Sequence, residues 1–165
     1  MEEGAFSPVH IAWFDALVRF AAAFLLSLAV GLERFLRRKP IDFRPFVLIA
    51  VASCALVLGV SEFGYRTEQN EFSIDPAKVV SGIMTGIGFI GAGALFREKH
   101  VVHGAGSAAS IWAAGAIGIV CGLGFLWLAG MLAVAVLAIL VTSRPFTKAY
   151  TVRADEDEAD SPDKT

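Results

Sequence analysis

The sequence predicts an all-α membrane bundle of about five transmembrane helices, with the N-terminus outside and the C-terminus in the cytoplasm. Three observations predict it. The composition is 56% hydrophobic and only 18% charged, where soluble domains hold about 45–50% apolar and about 25% charged residues. Residues 104–143 form a run of 40 positions without Asp, Glu, Lys or Arg. As one helix that run would be about 60 Å long, twice a bilayer core of about 30 Å, so it must fold back on itself. Finally, the basic residues of the loops fall almost entirely on one side of the predicted spans.

The spans follow in order. The first covers about Ile11 to Leu32 and carries Asp15 and Arg19; the second runs from Pro45 to about Ser61. A third, from about Ala77 to Phe96, starts with helix-initiating chemistry: Asp75 as N-cap and Pro76 at the first helical position. The long uncharged run divides at Gly122-Leu123-Gly124 into a fourth span from Ser107 to Cys121 and a fifth from Phe125 to Thr142. All are expected to be helical, because lipid offers backbone polar groups no partner outside the segment.

Eleven basic residues fall on one side: Arg34, Arg37, Arg38, Lys39, Arg44, Arg97, Lys99, Arg144, Lys148, Arg153 and Lys164. Only Arg66 and Lys78 fall on the other, beside Glu2, Glu3, Glu62, Glu68, Glu71 and Asp75. The positive-inside rule then sets the orientation. Residues 1–10 read as a short external N-terminus without the basic region of a signal peptide, 11–142 as the transmembrane domain, and 143–165 as an acidic, disordered cytoplasmic tail.

The composition excludes some functions. A net charge of −2 argues against a nucleic-acid binder, which would present a basic face. Cys54 and Cys121 lie in apolar runs without metal-ligand spacing and read as small buried thiols. His10, His100 and His103 are scattered over rims and loops, with no third ligand near the i, i+3 pair. Trp13, Trp112 and Trp127 suit helix contacts or interface belts. No nucleophile–base pair stands out, so no enzyme and no cofactor is expected.

Gly86, Gly88 and Gly91 spell the G-x-G-x-x-G of a dinucleotide site. Such a site needs a preceding strand and an acid about 20 residues on. Here the stretch lies in an uncharged apolar run, and the later segment reads SAASIWAAG. A nucleotide is therefore not expected. Gly82 and Gly86 form G-x-x-x-G, as do Gly118 and Gly122, and such pairs let a neighbouring helix backbone approach. Ser107, Ala108, Ser110, Ala114 and Gly115 keep the fourth helix slim, so the third and fourth helices are expected to pack closely. Gly88, Gly91 and Gly93 add to this surface and would also permit a functional break.

The segments GLER (31–34), DPAK (75–78), GIGFIGAGALFRE (86–98) and GAGSAASIWAAGAIGIVCGLG (104–124) together resemble the membrane domain of the MgtC/SapB family. The resemblance runs in order from about Arg19 to Gly124. The chain departs from it at Asp42-Phe43-Arg44-Pro45, where members often show a Gly-Leu-Arg-Thr-like turn. Many members also continue into a soluble C-terminal domain, whereas here AYTVR leads into acidic residues. The resemblance implies a multi-pass protein of the bacterial inner membrane, associated with magnesium-limited growth and, in pathogens, with survival in the host. It also matches Arg19 to an arginine common in the family's first helix.

The charged groups at the spans remain to be placed. Asp15 and Arg19 are one turn apart, which suggests an internal ion pair, or else part of an ion path. Glu33 and Arg34 close the first helix at the cytoplasmic rim. A carboxylate at a helix C-terminus opposes the macrodipole, so Glu33 calls for a cation, with Arg37 and Arg97 as candidates. Asp75 and Glu33 are the weak candidates for attracting Mg²⁺, since a lone carboxylate makes a poor site. Ser107 and Ser110 are expected to pack or to bond backbone.

The first functional expectation is a non-enzymatic regulator acting through helix contacts with other membrane proteins or with further copies of itself. The alternatives are a small Mg²⁺ or other cation transporter or channel subunit, and a structural membrane subunit.

Overall fold

A computed structural model describes residues 8–37, 42–67, 74–98 and 101–143, which hold five helices and one short β-ribbon. In chain order these are α1 (Trp13–Leu36), α2 (Arg44–Thr67), α3 (Pro76–Gly93), the strands β1 (Phe96–Glu98) and β2 (Val101–His103), α4 (Ala105–Gly122) and α5 (Leu126–Thr142). Each predicted span is a helix. The 143–165 tail expectation lies outside the described residues, apart from Ser143 itself, as does the 1–10 segment up to residue 7.

Three helices are long and apolar enough to cross a membrane: Trp13–Leu36, Arg44–Arg66 and Ala105–Gly122. Leu126–Thr142 is a shorter apolar helix. Large apolar side chains point away from the bundle on every helix, among them Phe14, Leu25, Leu56, Phe89, Trp127 and Met131. A soluble protein would hide such a surface, whereas lipid solvates it.

α4 is the axis of the bundle. It touches all four other helices, and its largest interface is with α2. Ten of its small or branched residues from Ser107 to Cys121 are buried, together with Gly122. The core around it holds Val30 from α1, Phe46 and Cys54 from α2, Ile87 from α3, and Ala129 and Ala133 from α5. On α5 only Ala129 and Ala133 are buried; Leu132, Val136 and Leu140 pack partly against the core, and Trp127, Met131, Val134 and Ile139 line the outer surface.

The helix ends follow from local chemistry. Asp75 accepts the Ala77 N–H at 2.9 Å and Pro76 occupies the first turn, as the sequence suggested. The turn at Gly122-Leu123-Gly124 is a Schellman motif: Phe125 N–H reaches the Val120 carbonyl at 3.1 Å and Gly124 N–H the Cys121 carbonyl at 2.9 Å. Gly124 has φ 88°, the left-handed conformation that this motif requires.

The ribbon is a correction to the purely helical expectation. Phe96 pairs with His103, Arg97 with Val102, and Glu98 with Val101, antiparallel. The third helix therefore stops at Gly93 rather than at Phe96. Gly104 ends the ribbon at φ 88°, and a Cβ there would lie 2.2 Å from the Ala94 carbonyl oxygen. That approach closes the α3–ribbon–α4 connection on itself.

Candidate functional site

α1 and α4 run antiparallel, and two arginines of α1 reach the two ends of α4. Near one end, Arg19 Nη1 donates to the Gly122 carbonyl at 2.9 Å. At the other, Arg34 Nη2 donates to Ser107 Oγ at 2.9 Å. The sequence separation of the two arginines equals that of their two partners, so both contacts belong to one helix register.

The Asp15–Arg19 ion pair expected from sequence is not formed among the described residues: Asp15 is exposed and Arg19 turns inward to α4. The physical reason is the helix end. The last carbonyls of α4 lack intrahelical partners and carry the negative end of its dipole, which draws a guanidinium. Arg19 also packs over the turn, since a Cβ on Gly124 would sit 2.9 Å from its Nη2.

Glu33 meets the nearer of its two candidate cations, forming an ion pair with Arg37 one turn on. Arg34 is buried, 8% exposed, and its Nε has no hydrogen-bond partner. Arg37 Nη2 and both Glu33 carboxylate oxygens are likewise buried without hydrogen bonds. Among the described residues, the buried side-chain polar atoms without a hydrogen-bond partner all belong to Glu33, Arg34 and Arg37. Close by, Asp42 binds the Arg44 side chain and accepts the Phe43 N–H. Desolvation raises the Asp42 carboxyl, but those bonds outweigh it and hold the group below its ordinary value.

Ser110 behaves as predicted, donating to its own helix at Gly106 O, 2.6 Å away. Ser107 is buried in the bundle and also accepts from Arg34 across the α1–α4 interface. Asp75 stands at the opposite end of the bundle from Glu33, exposed and engaged in capping. Among the described residues no three His, Cys, Asp or Glu side chains gather to hold a metal ion. The side chains of His100, His103 and Arg97 lie outside the description. Cys54 and Cys121 are free and buried.

One residue with a clear structural role escaped the sequence reading. Glu62, near the end of α2, accepts N–H groups from His10 at 3.1 Å and Ile11 at 3.4 Å, and also binds Val9 N–H. It thereby pins the segment that leads into α1, whose own N-cap residue, Ala12, makes no side-chain cap hydrogen bond. His10 stacks on Tyr65 beside it, with ring centroids 4.6 Å apart. The available signal was a carboxylate at the edge of an apolar helix, with Arg66 one turn on.

The glycines divide into two groups. On α4, a Cβ at Gly118 would lie 2.1 Å from the Ala50 carbonyl oxygen, and one at Gly122 would lie 2.7 Å from Val57 Cβ. The second G-x-x-x-G is therefore the seat of α2. α3 does pack on α4, but through Ile87 and Gly91: Ile87 fills the space above Gly115, and Gly91 faces Ala108. Gly82, Gly86, Gly88 and Gly93 have nothing within 4 Å of where a Cβ would stand. The pair that suggested the α3–α4 contact thus faces away from it.

Comparison with known proteins agrees with this architecture's sequence signature. The model of the MgtC family matches residues 20–149. The chain is 32% identical to Protein SapB of Bacillus subtilis over 120 residues, 70% of this chain and 52% of that one. It is 32% identical to Protein MgtC of Brucella abortus over 134 residues, 81% of this chain and 53% of the relative. A third relative, named "Putative magnesium transporter YhiD" in Escherichia coli K12, is 35% identical over 112 residues, 67% of this chain and 52% of its own. The chain thus spans about half the length of these relatives. No solved structure matches. By its sequence signature over most of its length, the chain belongs to the MgtC family.

Proposed function

We propose that the chain is a non-enzymatic regulator in the bacterial inner membrane, acting through helix contacts with other membrane proteins or with its own copies when magnesium is scarce. The observation that carries this reading is the outward face of α3. Gly82 and Gly86 are one turn apart with open space above both, which is what a neighbouring helix backbone needs for close approach in lipid. The comparable pair on α4 is already filled by α2. Five spans, with the N-terminus outside, fit the alternating helices and the basic residues at the ends of α1, α3 and α5. The magnesium link rests on family membership and on the relatives' names.

The name of the Escherichia coli relative favours a second reading, a magnesium transporter. Its acidic candidates are spread apart, with Asp75 at one end, Glu33 at the other and Asp15 exposed on the surface of α1. Ion flux into sealed proteoliposomes decides between the two. The regulator reading expects no Mg²⁺, H⁺ or Na⁺ movement from well-folded protein in vesicles that pass an ionophore control. It also expects crosslinks to a neighbouring helix from Gly82→Cys or Gly86→Cys in native membranes. Saturable flux abolished by Asp75→Asn or Glu33→Gln would make the chain a transporter.

A further inference from the structure

We propose that the first turn of α4, with Arg34 and Ser107, is a binding site for a phosphate group. The site begins with a charge that lacks a counterpart. A guanidinium stays protonated in proteins and carries five N–H donors. Arg34 is 8% exposed, yet among the described residues only a neutral hydroxyl, Ser107 Oγ, accepts from it, and its Nε is buried without a partner. The nearest carboxylate, Glu33, is paired with Arg37. Arg37 in turn keeps a buried Nη2 without an acceptor.

The helix makes the imbalance larger. Arg34 lies against the N-terminal turn of α4, its Nη2 3.3 Å from where a Gly106 Cβ would be. That end of a helix carries about half a positive charge and exposes N–H groups without acceptors. The N-cap, Gly104, supplies no side-chain acceptor. The first α4 bonds from Ser107 and Ala108 return to the Gly104 carbonyl, which leaves the Ala105 and Gly106 N–H groups without an acceptor among the described residues. Two arginines and a helix N-terminus thus gather around Glu33, while the nearby Asp42 carboxylate is engaged by Arg44.

One bound anion would answer the donors at the first turn of α4. Arg34 contributes its fork, Ser107 a hydroxyl proton, and Ala105 and Gly106 their N–H groups. Both of those last residues are exposed. Donors spread over a guanidinium, a hydroxyl and a helix turn suit the several oxygens of a phosphate better than the two of a carboxylate. The site lies at the ends of α1 and α4, the level at which lipid phosphodiesters meet the protein, so a phospholipid headgroup and a free phosphate share the required chemistry.

The full chain, purified in a phosphate-free maltoside detergent, is titrated with inorganic phosphate by calorimetry. In parallel, micelles doped with phosphatidylglycerol are examined by native mass spectrometry for retained lipid. Saturable binding of inorganic phosphate assigns the site to the free anion; retention of lipid alone assigns it to a headgroup. In either case Arg34→Lys, which keeps the charge and loses the fork, and Ser107→Ala are each expected to weaken binding about tenfold, the usual scale for a charge-assisted hydrogen bond. If Arg34→Lys fails to fold, Ser107→Ala decides, because it leaves the core shape intact. Binding of neither probe by folded protein, or binding unchanged by these substitutions, would overturn the proposal.

Discussion

Arg19 and Gly122 are joined by a hydrogen bond of 2.9 Å across 103 positions of sequence, from a guanidinium on α1 to a terminal carbonyl of α4. The bond satisfies a group that the helix cannot, and it places a cation at the negative end of the α4 dipole. With Arg34 at the other end, α1 grips the axial helix over about 22 Å of its length.

Removing the grip at Arg19 should destabilise the bundle. Arg19→Ala is expected to cost about 1.5–3 kcal/mol, the range for a hydrogen bond to a charged group. Equilibrium unfolding in mixed micelles measures it. Asp15→Asn should leave stability unchanged within about 0.5 kcal/mol, because Asp15 is exposed and forms no ion pair with Arg19.

The two sets of glycines should respond oppositely to bulk. Gly118→Leu would drive a side chain into the Ala50 backbone and separate α2 from α4, so loss of folded protein is expected on size-exclusion chromatography. Gly82→Leu meets open space and should leave the isolated fold intact. Under the regulator reading it would instead abolish crosslinking from a cysteine at Gly86.

Glu62 should govern the start of α1 without holding the rest of the bundle. In Glu62→Ala, the N–H groups of Val9, His10 and Ile11 lose their acceptor. Hydrogen exchange at these amides should accelerate by about tenfold or more, as expected for a lost charge-assisted hydrogen bond, while α4 stays protected.

The two thiols report on the α2–α4 seam. Cys54 and Cys121 are both fully buried, so a membrane-permeant maleimide should leave them unmodified in the native protein. Gly118→Leu should make Cys54 reactive by opening the helix pair beside it, and mass spectrometry of the alkylated chain reads the change.

Much of the bundle was legible in the sequence because lipid imposes a simple condition. A chain with 40 consecutive uncharged residues must bond its own backbone and turn where glycines permit; the helices and the Gly122-Leu123-Gly124 turn followed from that, and the Asp75 cap from local helix-start chemistry. For Glu33 the sequence left Arg37 and Arg97 open, and the partner formed is Arg37, one helical turn on. What only the tertiary structure decided was which faces meet. A G-x-x-x-G pair announces that a backbone can come close, but not whose: α2 took Gly118 and Gly122, whereas α3 engaged α4 through Ile87 and left Gly82 and Gly86 open. The partners of Arg19, Arg34 and Glu62 were hidden for the same reason. Arg19 meets a terminal carbonyl of α4, Arg34 a hydroxyl in its first turn, and Glu62 the N–H groups that lead into α1; all lie far away in sequence, and those distances close only when the helices pack antiparallel.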